Sequence, residues 1–212
     1  MRTAIIGLGN IGSRVAANLA AGGESIIISE RDLAKAQALA AKLGAKVQAM
    51  AVEPALEHAD VIVLAISFEA IQQFVVDYRA GIAGKVLVDP SNPIAPDGKG
   101  GFKKIIPADQ SAGQIISGLV EEGTEVVKAF GTLAAPSLQS GANRSPERAV
   151  LFYATDYPEA GRAAARLITA GGFDPVSVGG IDQSARIEVF GDLHEFGKLG
   201  RLVSAEEART LV

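Results

Sequence analysis

Oily positions in this chain gather in short blocks with little polar interruption, and between the blocks lie stretches where apolar residues return every three or four positions. Blocks of the first kind are Thr3–Ile6, Ser25–Ser29, Lys46–Ala49, Val61–Ile66, Lys85–Asp89 and Glu125–Phe130. A run that is oily on both faces, as at 61–66, predicts a strand buried from both sides, the mark of a parallel sheet. The other kind comprises Ile11–Ala21, the alanine- and leucine-rich Leu33–Lys42 closed by Gly44, the short acidic Val52–His58, Ala70–Tyr78 and Ala112–Val120. These predict helices. Strand and helix alternating through short connections imply a parallel sheet with helices on both faces. A proline- and glycine-rich loop is expected after Asp89. Alternation along 125–130 is consistent with a solvent-facing Lys128.

The texture changes at Thr132–Arg148, which is rich in Ala, Ser, Gly and Pro and has little periodicity. A domain boundary or active-site loop is expected there. Beyond it, strands are predicted at Ala149–Ala154 and Pro175–Val178, helices at Pro158–Ala170 and Asp182–Leu199, and a short terminal helix within Ser204–Val212. Along 182–199, Ile187, Phe190, Leu193 and Phe196 form one apolar stripe at helical spacing. It suits packing against the rest of the protein, or a homodimer interface. The expected division is residues 1–131 and a smaller C-terminal α/β lobe, 132–212, for substrate or interface contacts.

Chemistry enters at the first turn. Gly7-Leu8-Gly9-Asn10-Ile11-Gly12 matches G-x-G-x-x-G, follows the first strand and opens the first helix. Gly7 permits the tight turn, Gly9 leaves the backbone bare for a pyrophosphate, and Gly12 lets the helix pack closely on the sheet. The helix start then offers unpaired N–H groups and the positive end of its dipole to phosphate. Glu30 ends the second strand, about 20 residues past the glycines, where an acidic side chain accepts from an adenosine ribose. A carboxylate there favours NAD over a 2′-phosphate, whereas Arg31 beside it can pair with that phosphate. These marks specify a Rossmann-type dinucleotide-binding sheet.

Composition narrows the partners. The net charge is −4 and no basic run exists, so neither nucleic acid nor an anionic membrane is an expected partner. The chain has no cysteine, which removes disulfides, thiolate catalysis and Cys-ligated metal and fits a reducing compartment. No apolar run approaches the roughly 18 residues of a membrane span, and the first strand begins at once. A cytoplasmic protein is expected.

Four spans, "AIIGLGNIGSRVAANLAAGG", "ADVIVLAISFEAI", "VLVDPSNPI" and "VVKAFGTLAA", together resemble the NADPH-dependent coenzyme F420 reductases. Those enzymes move a hydride between NADP and a deazaflavin. Similar spans occur in the cytosolic domains of six-transmembrane metalloreductases. The resemblance implies that Gly7, Gly9, Asn10, Ile11 and Gly12 hold the pyrophosphate, and that Ser29, Glu30 and Arg31 surround the adenosine ribose. It places Ala65, Ile66, Ser67 and Phe68 beside the nicotinamide half, with Ser91, Asn92 and Pro93 lining its pocket. Gly131, Thr132, Leu133 and Ala134 would bound a second substrate: coenzyme F420, a flavin or a small organic molecule. The family favours NADP and Glu30 favours NAD. Position 131 is glycine where the F420 reductases carry histidine, which leaves room for a different substrate.

Hydride exchange between two rings needs alignment more than a proton donor, whereas reducing a carbonyl or imine needs an acid. His194, in "GDLHEFG", is the candidate for that acid; Tyr153 and Lys128 are further donors. Asp192 and Glu195 are poorly spaced to pair with His194 on a helix, and the same group makes no metal site. The principal expectation is an NAD(P)-dependent oxidoreductase that exchanges a hydride with a flavin-like or deazaflavin ring or a small organic substrate. Alternatives are a small imine, keto-acid or hydroxy-acid dehydrogenase and a non-catalytic NAD(P)-binding sensor.

Overall fold

The computed structural model of the protein describes residues 1–212. In chain order the elements are β1 (Thr3–Ile6), α1 (Asn10–Ala21), β2 (Ile26–Ser29), α2 (Leu33–Leu43), β3 (Val47–Ala49), α3 (Val52–His58) and β4 (Val61–Leu64). Then follow α4 (Phe68–Asp77), α5 (Arg79–Ile82), β5 (Val86–Asp89), a hairpin of β6 (Ile94–Pro96) and β7 (Phe102–Lys104), α6 (Ala112–Ser117) and β8 (Glu125–Ala129). The chain ends with α7 (Ala135–Ser140), β9 (Val150–Ala154), α8 (Pro158–Ala170), β10 (Asp174–Ser177), α9 (Ser184–Ile187) and α10 (Ala205–Ala208).

Eight strands form one sheet in the order β10-β9-β8-β5-β4-β1-β2-β3. Every pairing is parallel except β8 with β9. β1 lies inside the sheet, with Thr3–Ile6 opposite Ile26–Ser29 of β2 on one side and Val61–Leu64 of β4 on the other. The period of two sends successive side chains to opposite faces. Ile5, Ile28, Val63, Val88 and Val127 meet Val15, Leu19, Leu138 and Leu167 in one core. Ala4, Ile6, Ile62, Leu64, Leu87 and Val126 meet Leu56, Phe68, Ile71 and Phe74 in the other. Unbroken oily blocks are therefore what a sheet with two covered faces requires.

β9 and β10 prolong the same sheet, and Leu151, Leu167 and Phe173 belong to the same core as Ile5 and Val15. The expected boundary at 131/132 falls just past β8, where the pairing turns antiparallel. The segment 132–148 is not a bare loop. It contains α7, which lies against α1 and whose Leu138 carbonyl accepts from Asn18 Nδ2 at 2.8 Å. The loop expected after Asp89 includes the hairpin β6–β7, whose turn is organised by the Asp97 carboxylate accepting from Lys99 N and Gly101 N.

The helix expected over 182–199 is corrected by the structure. It stops at Ile187, because Glu188 adopts extended backbone (φ −87°, ψ 164°) and turns its carboxylate into the protein. Residues 188–200 form a compact coil in which Leu193 N donates to the Arg186 carbonyl at 2.9 Å. A Cβ on Gly191 would lie 2.3 Å from two carbonyl oxygens, so backbone contact takes the place of a helix there. The apolar stripe breaks accordingly: Ile187 and Leu193 are buried, while Phe190 and Phe196 are 51% and 57% exposed. No helix is long and apolar enough to cross a membrane.

Because one core joins the two parts, Leu167→Ala, at a fully buried position, lowers global stability by about 2–5 kcal/mol. Urea unfolding followed by far-ultraviolet dichroism and by Tyr fluorescence is expected to shift as a single transition. Two separated transitions would contradict a shared core.

Candidate functional site

Because β2, β1, β4, β5 and β8 run parallel, their carboxyl ends share one edge, and the sheet order reverses between β1 and β4. Five strands at about 4.8 Å spacing give an edge about 19 Å long. In open α/β sheets a crevice for ligands lies at this reversal.

The glycine turn occupies it. Gly7 has φ +90°, and a Cβ there would sit 2.5 Å from Ile66 Cγ2 and 2.7 Å from the Ala65 carbonyl oxygen. Gly12 is closed in as well: a Cβ would lie 1.9 Å from the Gly7 carbonyl oxygen and 2.9 Å from Ala65 Cβ. Gly9 faces open space, with nothing within 4 Å of a Cβ. Two glycines thus seat the turn against the end of β4 and the third leaves its surface bare. The N–H groups of Asn10, Ile11 and Gly12 donate to no backbone carbonyl, so they stand ready for an anion. Bare backbone and free donors together fit a dinucleotide pyrophosphate.

Glu30 lies beside this turn. Its Oε2 accepts from Leu8 N at 3.0 Å and its Oε1 from Arg31 N at 2.9 Å. Each oxygen keeps a lone pair for a further donor. Arg31 is exposed, and Ser29 is wholly buried with its hydroxyl unpartnered. Past β4, Ala65 and Ile66 press on Gly7, Ser67 caps α4 by accepting from Ala70 N at 3.3 Å, and Phe68 is buried in the core.

On the other side of the edge, the ends of β5 and β8 are locked together by a buried charge. The register places Lys128 opposite Asp89. Its ammonium donates to Asp89 Oδ2 at 2.9 Å and to the Ser91 carbonyl, and Glu188 Oε1 lies 3.8 Å away. Lys128 is only 1% exposed, which corrects the expectation of a solvent-facing side chain. The second Asp89 oxygen accepts from Ser91 N at 2.7 Å, and Glu188 accepts from Ala112 N and Gly113 N, both at 3.1 Å. Two carboxylates therefore face one ammonium. Burial pushes the Glu188 carboxyl above the usual glutamate range, against the opposing pull of Lys128 and the two amides.

Asn92 joins this turn to its neighbours: its Nδ2 donates to the Gly131 carbonyl at 3.0 Å and its Oδ1 accepts from Val189 N at 2.7 Å. Pro93 is buried next to it. Gly131 does not leave room for a substrate. A Cβ there would lie 2.7 Å from the Pro90 carbonyl oxygen, so the glycine is needed for close passage of two backbones. Phe130 just before it is buried at φ +64°, a strained conformation for a bulky residue that the surrounding packing holds in place. Thr132 and Leu133 are buried and Ala134 is half-buried; Ala134 N donates to Glu195 Oε1. The hydroxyls of Ser91 and Thr132 are buried without a partner. Unpaired buried hydroxyls are uncommon, and here they mark polar positions that a bound molecule can satisfy.

His194 is buried with both nitrogens engaged. Nε2–H donates to the Gly131 carbonyl at 2.9 Å, and Nδ1 accepts from Phe196 N at 2.9 Å. Burial holds its pKa below 6.5. The ring is a neutral brace with no proton to present, which removes the geometry that a catalytic acid needs. Asp192 pairs instead with Arg186.

The structure thus gathers the residues at 7–12, 30–31 and 65–66 around one turn, and 91–92 with 131 around another. Sequence reasoning missed Asp89 and Glu188, and it left Lys128 in solvent. A lysine inside an oily strand, paired with an aspartate ending the neighbouring strand, was the available signal. Glu188 gave none. A cavity of about 420 Å³ opens near the other end of the sheet, lined by Arg2, Ser25, Lys46 and His58 among others, away from the free helix donors.

The family model described as NADP oxidoreductase, coenzyme F420-dependent, matches residues 2–93. The chain is 32% identical over 148 residues to an F420-dependent NADP reductase of Methanothermobacter marburgensis, covering 65% of this chain and 66% of that reductase. It is 29% identical over 199 residues to the F420-dependent NADP reductase of Methanothermobacter thermautotrophicus, covering 89% and 85%. A crystal structure of a hypothetical protein from Sinorhizobium meliloti superposes with a TM-score of 0.84 at 30% identity, covering 96% of this chain and 95% of that one.

Two outcomes follow from the buried groups. Lys128→Met leaves two carboxylates without their counter-ion and is expected to cost about 3–5 kcal/mol in urea unfolding, because an unpaired buried charge is what remains. His194→Ala is expected to cost about 1–3 kcal/mol through its two lost hydrogen bonds. With a folded pKa depressed below 6.5, His194 contributes stability above that pH that is lost as pH falls. Urea midpoints across pH 5–7 should show this acid-side loss in the wild type and its reduction in His194→Ala.

Proposed function

We propose that this NAD(P)-dependent oxidoreductase, similar to the F420-dependent NADP reductases, exchanges a hydride between a nicotinamide dinucleotide and a flavin-like or deazaflavin ring. The observation that carries the reading is the glycine turn: Gly7 and Gly12 are seated where no Cβ fits, and Gly9 is open beside free helix donors. When bound there, the dinucleotide supplies the hydride-carrying carbon; the protein's share is binding and alignment. Asn10, Ile11 and Gly12 present N–H groups to the pyrophosphate, and Glu30 accepts from the adenosine ribose hydroxyls. Ala65 and Ile66 pack along the nicotinamide half, where Ser91 and Asn92 supply polar edges. Thr132–Ala134 bound the second substrate.

Ring-to-ring transfer is favoured over carbonyl or imine reduction by the state of the proton donors. His194 spends both nitrogens on backbone groups, and the Lys128 ammonium is enclosed by Asp89, the Ser91 carbonyl and Glu188. A reaction that develops charge on oxygen or nitrogen needs an acid within reach. Transfer between stacked rings needs chiefly orientation and a dry pocket.

Glu30, fixed by Leu8 N and Arg31 N, holds a carboxylate beside the ribose position and repels a 2′-phosphate. The reading therefore includes a preference for NADH, with Arg31 allowing weaker use of NADPH. Calorimetric titration is expected to give NADH about tenfold tighter binding than NADPH, with Glu30→Ala narrowing that ratio. Oxidation of NADH should accompany reduction of riboflavin, FMN or coenzyme F420. Binding without turnover on any of these rings would leave a dinucleotide sensor instead, and much tighter NADPH binding would defeat the reading of Glu30.

A further inference from the structure

Arg14 has no role in the scheme above, yet its guanidinium is left incomplete. It lies in the second turn of α1, where side chains lean toward the helix start. Nη1 donates to Ser13 Oγ at 3.0 Å, and that hydroxyl donates to the Gly9 carbonyl at 2.7 Å. The guanidinium is thus two hydrogen bonds from the glycine turn. One helical turn further on, Asn18 donates to the Leu138 carbonyl, so the same face of α1 lies against α7. The helix that Asn18 touches, α7, follows directly on Thr132–Ala134.

Arg14 Nε is buried and has no hydrogen-bond partner. The arginines that form ion pairs are Arg79, Arg162, Arg166, Arg186 and Arg201; no carboxylate pairs with Arg14. Glu195, the acid that reaches the α7 entrance, is held by Ala134 N. With Nη1 engaged, the free edge is Nε–H with Nη2. That side-on fork meets two oxygens of a carboxylate or phosphate in parallel bonds. A buried guanidinium donor lacking an acceptor is costly, and an arriving anion would complete it.

We infer that Arg14 receives an anionic oxygen group at the seam of α1 and α7, beside the glycine turn. The inference rests on the reading of this edge as the nucleotide crevice. Two sources share that chemistry: the phosphates of the dinucleotide and an acidic group on the second substrate.

Two binding measurements on the intact protein separate them. NADH is titrated calorimetrically into wild type, Arg14→Leu and Arg14→Lys. FMN and riboflavin, which share a ring and differ by one phosphate, are titrated by flavin fluorescence into the same proteins saturated with NAD⁺. Loss of a bidentate charged contact is expected to weaken binding about tenfold. If the dinucleotide is the source, the NADH Kd rises by that factor in Arg14→Leu. If the second substrate is the source, the ratio of FMN to riboflavin affinity falls by that factor instead. Arg14→Lys, which keeps the charge without the fork, should fall between. Should Arg14→Leu fold poorly by thermal melt, Arg14→Gln replaces it. Changes under twofold in both arms overturn the inference, even where flavin turnover persists. Conversely, a shift in either arm without turnover keeps the inference and defeats the proposed hydride transfer.

Discussion

The ammonium of Lys128 is the point on which the acceptor side of the molecule depends. A lysine almost wholly removed from water is tolerated only where its charge and protons are answered. Here Asp89 and the Ser91 carbonyl answer it from one piece of chain and Glu188 from another. Asp89 ends β5, Ser91 begins the turn after it, and Glu188 arrives from beyond β10. Through Ala112 N and Gly113 N, Glu188 also fixes the start of α6. Four segments are thus brought into register by one charge, and the turn carrying Ser91 and Asn92 has little freedom left.

Around that anchor the backbone is packed unusually close. Asn92 reaches both Gly131 and Val189, His194 closes on the same Gly131 carbonyl, and Phe130 is held at a positive φ to let the two turns meet. The 188–200 coil therefore serves as a clasp over the ends of β5 and β8. The same demand explains why the last predicted helix does not form. Continuing it past Ile187 would carry Glu188 away from α6 and forfeit its two amide bonds. Local helical periodicity is weak against a buried carboxylate whose partners lie elsewhere.

The nucleotide side is built on different physics. There the constraint is steric, because Gly7 and Gly12 allow the turn to nest against Ala65 and Ile66, and α1 starts from that turn with its first N–H groups unpaired, as a helix start leaves them. Glu30 steadies the turn from the next strand. One edge of one sheet thus joins a bare backbone surface with free N–H donors to a rigid polar wall with two unpaired hydroxyls, Ser91 and Thr132. Hydride transfer between rings asks for this kind of alignment more than for a mobile acid.

Much of this was legible in the sequence, and the reason is locality. Unalternating oily blocks specify strands covered on both faces, and their spacing with helical stretches specifies parallel order. The glycine turn and Glu30 could be read because each acts within one βαβ unit. By itself, then, the sequence determined the parallel strands and most of the helices of its first 130 residues, and the glycine turn that lies where the sheet order reverses. Tertiary structure alone decided the rest: that Lys128 is buried opposite Asp89, that Glu188 completes it, and that His194 is a brace. It also decided that Gly131 serves backbone contact, and it left Arg14 Nε buried without an acceptor. Those facts depend on partners 39 to 76 residues apart along the chain, and no periodicity within either segment encodes such a meeting.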